Sequence, residues 1–213
     1  MRSSAMYTLY FHPYSQHSRR VVALLDACRL PYEPRLVALE NGEHMSDAYL
    51  AVNPNHQVPT LVDGDLVLHE STAILRYLCN RHRLDDWYPT GLGRRAMVDQ
   101  WTDWGQSRMA PAVFDIVFNS VFAAPDARDL DAVKLGKTVM TELVPLMETA
   151  LGEANWIAAT PGPSIADLVL GSNITQLGLA GWRPAGGRIK AWYARLCEVK
   201  AFADTLPVEL EAV

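Results

Sequence analysis

Every segment with the pattern of a β-strand lies in the first third of the chain. Short runs rich in aromatic or aliphatic residues occur at 7–11, 34–39, 59–62 and 66–68, and such runs bounded by turn residues are typical of strands. From residue 94 onward, apolar residues recur at helical spacing and no convincing strand pattern follows. The sequence therefore predicts an α/β part followed by an all-helical part.

The order of elements in the first part indicates its fold. Residues 12–14 break the first strand, and Ser15 can cap a helix that leads into the second strand. The strand, the helix and the second strand together have the length of a βαβ unit. A short helix begins near Ser46. The Asp-Gly dipeptide within residues 63–65 stands between two apolar runs, which is a strong hairpin signal. A further helix begins at Ser71. Parallel and antiparallel strands in one sheet, followed by a terminal helix, are typical of a thioredoxin-like fold.

Turn-rich residues separate the two parts and set the predicted domain boundaries. We expect a thioredoxin-like domain over residues 1–81, a linker over 82–93, and an all-helical domain over 94–213. In the second domain, Ser164 and Asp167 have the spacing of a capping box ahead of a strongly apolar helix. That motif serves folding rather than chemistry.

Composition excludes several classes of function. The 213 residues carry a net charge of −5, and neither part is basic enough to indicate a nucleic-acid partner. No apolar run is long enough to cross a membrane, and residues 1–5 lead into no signal-peptide core, so we expect a cytoplasmic protein. Cys28, Cys79 and Cys197 are odd in number and far apart, which argues against disulfides and zinc. Cys28 has the spacing of a small buried apolar group, and we predict no metal site.

Two pairs of neighbouring residues carry a resemblance to a known family. Ser71 begins a helix, where unpaired N–H groups and the helix dipole favour an anion. Alone, Glu70 and Ser71 favour a plain serine cap beside a solvated glutamate, since serine caps are common. With Val58 and Pro59 one hairpin upstream, the pattern resembles the cytosolic glutathione S-transferase family. The resemblance implies a cis Pro59, a Val58 backbone that pairs with the cysteinyl part of glutathione, Ser71 on the glutamyl carboxylate and Glu70 on the ammonium.

The resemblance covers nearly the whole chain and is closest to the theta and delta classes and their bacterial relatives. Residues 41–54 look like the theta-class segment between the second strand and the cis-proline. By that likeness His44 would bind the glycine carboxylate of glutathione, and Gln57 would add a side-chain contact. Asp99 would reach the glutathione amine of a second subunit. The resemblance also implies a homodimer.

The residue that activates the thiol is predicted to be Ser15. It lies four residues before Arg19, as the catalytic serine does in theta and delta relatives. The alternative interpretation is that Ser15 only caps the helix. Tyr10 is the rival, because a tyrosine near the end of the first strand does this work in the alpha, mu and pi classes. Tyr14 is a weaker rival.

The expected activity is conjugation of the glutathione thiolate to small hydrophobic electrophiles, with glutathione as co-substrate. Two alternatives stay open: a more specific glutathione-dependent dehalogenase, ether-cleaving enzyme or isomerase, and a non-catalytic binding protein. The electrophile should lie between the two domains. Met109, Phe114 and Phe118 could form an apolar wall there and Arg108 could supply a charge, but apolar side chains at helical spacing favour core packing, and we predict that role for them.

Overall fold

The computed structural model describes residues 6–184 and 186–210. Its first part is a four-stranded sheet with helices on its faces. The bounds are β1 Tyr7–Phe11, α1 Gln16–Ala27, β2 Tyr32–Leu36, α2 Asp47–Leu50, β3 Thr60–Asp63, β4 Leu66–His69 and α3 Ser71–His82. The strand order is β2-β1-β3-β4. β1 and β2 are parallel, whereas β3 is antiparallel to both β1 and β4. This is the thioredoxin-like mixed sheet that the element order predicted.

The second part is helical, and no strand follows His69 among the described residues. Its helices are α4 Leu92–Trp104, α5 Ala110–Val117, α6 Leu130–Leu151, α7 Ile165–Leu179, α8 Gly187–Cys197 and α9 Lys200–Ala203. Within the two described ranges, no helix has both the length and the hydropathy needed to span a bilayer. The predicted fold class, a thioredoxin-like α/β domain followed by helices, is confirmed.

One apolar core joins the two parts. It contains Leu9 of β1 and Leu24 of α1, and it continues through α7, where all fourteen residues from Ile165 to Gly178 are buried. A helix buried on every side belongs at the centre of a domain rather than at its surface. The α7 helix packs directly against α1, so the first helix is held in place from both parts of the chain.

Three predicted elements differ from the structure in their bounds. The second strand runs over Tyr32–Leu36 rather than residues 34–39, because pairing of Tyr7 with Tyr32 sets its register. Apolar residues at helical spacing predict a last long helix over residues 189–199, but this helix begins at Gly187. The same pattern predicts separate helices over residues 94–109 and 111–122, but a π-helical turn, Gly105–Met109, carries α4 directly into α5. A wider turn before Pro111 accommodates its ring and its missing N–H.

The capping box at the start of α7 is present as predicted. Asp167 Oδ2 accepts hydrogen bonds from the backbone N–H and the hydroxyl of Ser164, both at 2.8 Å, and its Oδ1 accepts from Trp192 Nε1 at 2.8 Å. Cys28 is only half-buried at the end of α1, and burial raises the pKa of its thiol to about 11. The thiol therefore stays protonated and behaves as an apolar group.

Candidate functional site

A small cleft lies where the loop before β3 meets the N-termini of α1 and α3. Five of its lining residues are ones that the sequence singled out: Gln57, Val58, Pro59, Glu70 and Ser71. Five others were not foreseen: His17, Asn53, Asn55, His69 and Gln106. Ser15, His44 and Asp99 do not line this cleft.

The loop before β3 offers its backbone to the cleft. The Val58–Pro59 peptide bond is cis, as the resemblance implied. The carbonyl of Gln57 accepts hydrogen bonds from Tyr49 Oη at 2.6 Å and Asn53 Nδ2 at 2.8 Å, which hold the loop in place. The N–H and C=O of Val58 have no partner among the residues that the structure describes. An extended peptide can therefore pair with Val58 as an added strand.

The start of α3 has an unusual backbone. Glu70 precedes the helix with φ at 69° and ψ at 105°, and its side chain makes no cap hydrogen bond. A non-glycine residue with positive φ is uncommon, and such strain concentrates at functional sites. Ser71, the first helical residue, is 2% exposed. The exposed Glu70 carboxylate thus lies next to the N–H groups of the first turn of α3. The carboxylate can bind a cationic group, and the N–H groups can bind an anionic one.

His17 is held neutral beside this cleft. Burial, and to a smaller extent the charge of Arg20, lower the pKa of its imidazole to about 3. Its Nε2 lies 3.4 Å from Gln16 Nε2. The sequence carried one signal for this residue, its place in the first turn of α1 two positions after Ser15. Gln106 carried none, because it reaches the cleft only through tertiary contacts: its π-helical turn packs against α7, and its side chain meets Arg20 of α1.

Ser15 caps α1 and retains its donor. Its Oγ accepts a hydrogen bond from the Ser18 backbone N–H at 3.2 Å. A serine hydroxyl has two acceptor lone pairs and one donor proton, and the cap uses one lone pair. The O–H of Ser15 is left to donate to another acceptor, so capping and thiolate stabilisation are compatible.

The two tyrosine rivals have other neighbours. Tyr10 lies in a small cluster on the α2 side of the sheet, where its ring meets Tyr49 edge-on with centroids 5.8 Å apart. Tyr14 donates its phenol proton to Glu209 Oε1 at 2.6 Å, and this hydrogen bond raises the pKa of Tyr14. The Tyr14 phenol is therefore already engaged with a carboxylate.

Two further candidates lie outside the cleft. His44 is half-buried in the short helical turn Glu43–Met45, and its Nδ1 is buried with no partner among the described residues. Asp99 is held within its own chain, because Arg76 Nε donates to Oδ1 at 2.7 Å and Tyr88 Oη donates to the same atom at 3.0 Å. The described residues include no cluster of histidine, cysteine and carboxylate side chains that could hold a metal.

An exposed aromatic strip borders the loop that carries Ser15. The rings of Phe114 and Phe118 stack with centroids 5.1 Å apart, and Phe122 meets Tyr14 edge-on at 6.2 Å. Phe114 is 58% exposed and Phe118 43%. The expected core role is therefore wrong for both, because both rings are exposed. Met109 is fully buried and Arg108 is exposed, so the prediction of core packing holds for Met109 alone.

Known proteins share this architecture. A family model described as "Glutathione S-transferase, N-terminal domain" matches residues 9–86. Mouse glutathione S-transferase theta-1 is 31% identical over 202 residues, which cover 88% of this chain and 81% of the mouse protein. Arabidopsis thaliana glutathione S-transferase T3 is 33% identical over 175 residues, 79% of this chain, and this chain spans 30% of that relative's length.

A solved structure matches along almost the whole chain. The theta-class glutathione S-transferase of Xanthomonas axonopodis pv. citri, with glutathione bound, superposes with a TM-score of 0.86 at 30% identity and covers 95% of this chain and 97% of its own. Together with the sequence matches, this likeness identifies the chain as a member of the glutathione S-transferase family of enzymes, with theta-class proteins among its relatives.

Proposed function

We propose that the protein transfers glutathione, through its thiolate, to small apolar electrophiles. The observation that carries the proposal is the convergence of Val58, Glu70 and Ser71 on one cleft. Each offers what one part of the peptide requires: backbone groups for the cysteinyl unit, a carboxylate for the ammonium, and a helix N-terminus for the glutamyl carboxylate. Gln57 borders the same cleft. The unpartnered Nδ1 of His44 suits the glycine carboxylate.

Ser15 is the thiol-activating residue in this proposal. The thiolate is the nucleophile, and a free thiol has a pKa near 8.5. A donated hydrogen bond stabilises the anion and lowers that pKa. Support comes from the Ser15 proton, which the helix cap leaves unused. Tyr10 is disfavoured because its ring packs against Tyr49.

The electrophile is proposed to bind on the aromatic strip. Phe114, Phe118 and Phe122 are exposed, and Phe122 contacts Tyr14, the residue before Ser15. A stack of exposed rings suits an apolar substrate better than a charged one. No observation favours a dedicated dehalogenase, ether-cleaving enzyme or isomerase over general conjugation. The same proposal includes a homodimer in which Asp99 acts across the interface. It also includes the domain bounds 1–81 and 94–213, a role in detoxification and a cytoplasmic location.

The test combines glutathione binding with turnover. Titration calorimetry should give a dissociation constant between about 1 μM and 1 mM, roughly −8 to −4 kcal/mol. Glu70→Ala should weaken binding by about 1–3 kcal/mol through loss of a charged hydrogen bond. Binding without turnover of activated aryl halides, epoxides and enones would favour the non-catalytic alternative. No binding at millimolar glutathione would reject both.

A further inference from the structure

A fully buried arginine lies behind the cleft, and none of the described carboxylates pairs with it. Arg20 on α1 is 0% exposed. Its guanidinium donates only to neutral acceptors: Gln106 Oε1 at 2.9 Å, Asn173 Oδ1 at 2.9 Å, Ser172 Oγ at 3.1 Å and Ser71 Oγ at 3.4 Å. No ion pair of Arg20 occurs among the described residues. Four of its five N–H donors have an acceptor, but its charge has no such partner.

A buried charge without a counter-ion is costly and seldom kept without a role. Burial, followed by the neighbouring charge of Arg19, lowers the pKa of Arg20 to about 9, and Glu70 acts in the opposite direction. At neutral pH the guanidinium is still cationic. An anion placed near it would therefore offset the burial of its charge, which gives this site a preference for an anion.

The position of Arg20 determines where that anion would lie. Two of its four partners, Ser71 and Gln106, line the cleft. The N-terminus of α3 begins at Ser71, so the positive end of a helix dipole and a buried cation act on the same place. Glu70 precedes Ser71 and lines the cleft, and its carboxylate favours a cationic group of the ligand.

Gln106 is oriented by the same arginine. A guanidinium can only donate, so the contact with Arg20 assigns Oε1 to the buried side. The amide nitrogen has no hydrogen-bond partner among the described residues, although Gln106 lines the cleft. The turn that carries it is held by Asn173 Nδ2, which donates to the Gly105 carbonyl at 3.0 Å. A rigid π-helical turn thus presents one N–H donor from the helical part of the chain.

We propose that Arg20 is a positioning residue that supplies the buried counter-charge for the glutamyl α-carboxylate of glutathione, and that Gln106 is a direct ligand of that carboxylate. This inference rests on the proposed function. Arg20 acts through Ser71 and Gln106 and through its charge, without contacting the peptide itself. The recognition of the glutamyl end is therefore divided between Glu70 for the amine and the Arg20 pair for the carboxylate.

Two truncated peptides separate these contributions. 4-Aminobutyryl-cysteinylglycine lacks the glutamyl carboxylate, and glutaryl-cysteinylglycine lacks the amine. Arg20→Gln should weaken binding of glutathione and of the glutaryl peptide at least roughly tenfold, the usual effect of losing a charge-assisted contact. The same substitution should leave the affinity for the 4-aminobutyryl peptide unchanged. Arg20→Lys should retain part of the preference for a carboxylate.

Arg19→Gln is the matched control. Arg19 is the next residue on α1 and is also buried, at 2% exposed, but its Nε donates to the Thr205 carbonyl at 3.0 Å, and it does not line the cleft. Loss of Arg19 should lower stability and alter the three affinities by one common factor. A purely structural role of Arg20 predicts the same common factor for Arg20→Gln, and that outcome would overturn the inference.

Gln106→Leu keeps the test decisive if Arg20→Gln does not fold. Gln106 is only half-buried, so this variant should fold, and it should show the same loss confined to glutathione and the glutaryl peptide, which both carry the carboxylate of the glutamyl end. An equal effect on all three peptides would reject the role of Gln106. If the wild-type protein binds none of the three, the proposed function itself fails; if it binds glutathione but no variant discriminates, only this inference fails.

Discussion

Ser15 shows how one hydroxyl can serve both local structure and chemistry. Because its cap uses an acceptor lone pair, Ser15→Ala should raise the pKa of bound glutathione while leaving affinity well below that pKa nearly unchanged. Losing a hydrogen bond to a charged group costs about 1.5–3 kcal/mol, so turnover near neutral pH should fall roughly tenfold to a hundredfold. The thiolate absorbance of bound glutathione, followed against pH, measures this.

Two variants make that titration specific. Tyr10→Phe should shift the thiol pKa far less than Ser15→Ala. Asp129→Ala removes a cap elsewhere, since Asp129 accepts from the Ala132 N–H at 2.9 Å. It should cost about 1 kcal/mol of stability and leave the thiol pKa in place. A shift with Tyr10→Phe and none with Ser15→Ala would place the protein among the tyrosine-type enzymes.

His17 should make the protein sensitive to acid. Its folded-state pKa of about 3 lies below the ordinary value of 6.5, so between these values the unfolded chain binds a proton that the folded chain does not. Stability should therefore fall as pH drops through that window, by up to about 1.4 kcal/mol per pH unit from this group. Above pH 6.5 the histidine is neutral in both states and contributes no slope.

His17→Gln removes that dependence. Urea unfolding of both proteins from pH 8 to pH 4 should give curves that differ by a constant above pH 7. Below pH 6 they should converge or cross, because only the wild type loses the His17 contribution. Parallel curves over the whole range would show that the pKa of His17 is the same in the folded and the unfolded chain, which contradicts the prediction.

The helices of the second part approach one another closely at a glycine. Gly136 of α6 faces α5, and a Cβ at this position would lie 2.8 Å from the Ala112 carbonyl oxygen. Gly136→Ala should destabilise the protein by about 1–3 kcal/mol, since backbone cannot yield as a side chain can. This loss exceeds the helix-propensity gain of about 1 kcal/mol. Denaturant unfolding measures the balance.

Gly93 of α4 is the matched comparison. A Cβ there meets no atom within 4 Å, so Gly93→Ala should stabilise by about 0.5–1 kcal/mol. The two substitutions are chemically identical and both lie in helices. If Gly136→Ala were as stable as wild type, α5 and α6 would have room to separate and the close contact would not be a constraint.

The surface of the whole molecule bears apolar side chains on both of its parts. Leu66 and Val67 lie on the edge strand β4, at 41% and 44% exposed, and Leu92 and Met97 lie on α4, at 84% and 42%. An uncovered edge strand of this kind tends to be protected in native proteins. This surface suits the interface of the proposed homodimer.

Light scattering tests the dimer. The mass at micromolar concentration should be about twice the 23.7 kDa of one chain. Met97→Glu should shift the equilibrium toward monomer, because it places a charge at the proposed interface. Leu135→Glu, at a 62% exposed position on α6, should leave the mass unchanged. A wild-type mass near that of one chain would contradict the proposal.

Local sequence signals determined the fold class and part of the cleft. The strand pattern at 7–11, the Asp-Gly hairpin and the Ser164–Asp167 capping box all act within a few residues, and each is found in the structure. Val58, Glu70 and Ser71 were also identifiable, because a proline turn and a helix start are local features. Their assembly into one cleft follows from the order of β3, β4 and α3.

Tertiary packing decided what local patterns cannot express. The exposure of Phe114 and Phe118 depends on which face of a helix meets its neighbours, and helical spacing alone gave the opposite answer. Gln106 reaches the cleft only because α4 continues through a π-helical turn that packs against α7. Likewise the charge of Arg20 has a buried position only once α7 covers it with Ser172 and Asn173. The contacts of Arg20 with Gln106, Ser172 and Asn173 join residues more than eighty positions apart in the sequence. Contacts over such a separation form only in the folded chain, so no single segment of the sequence reveals them.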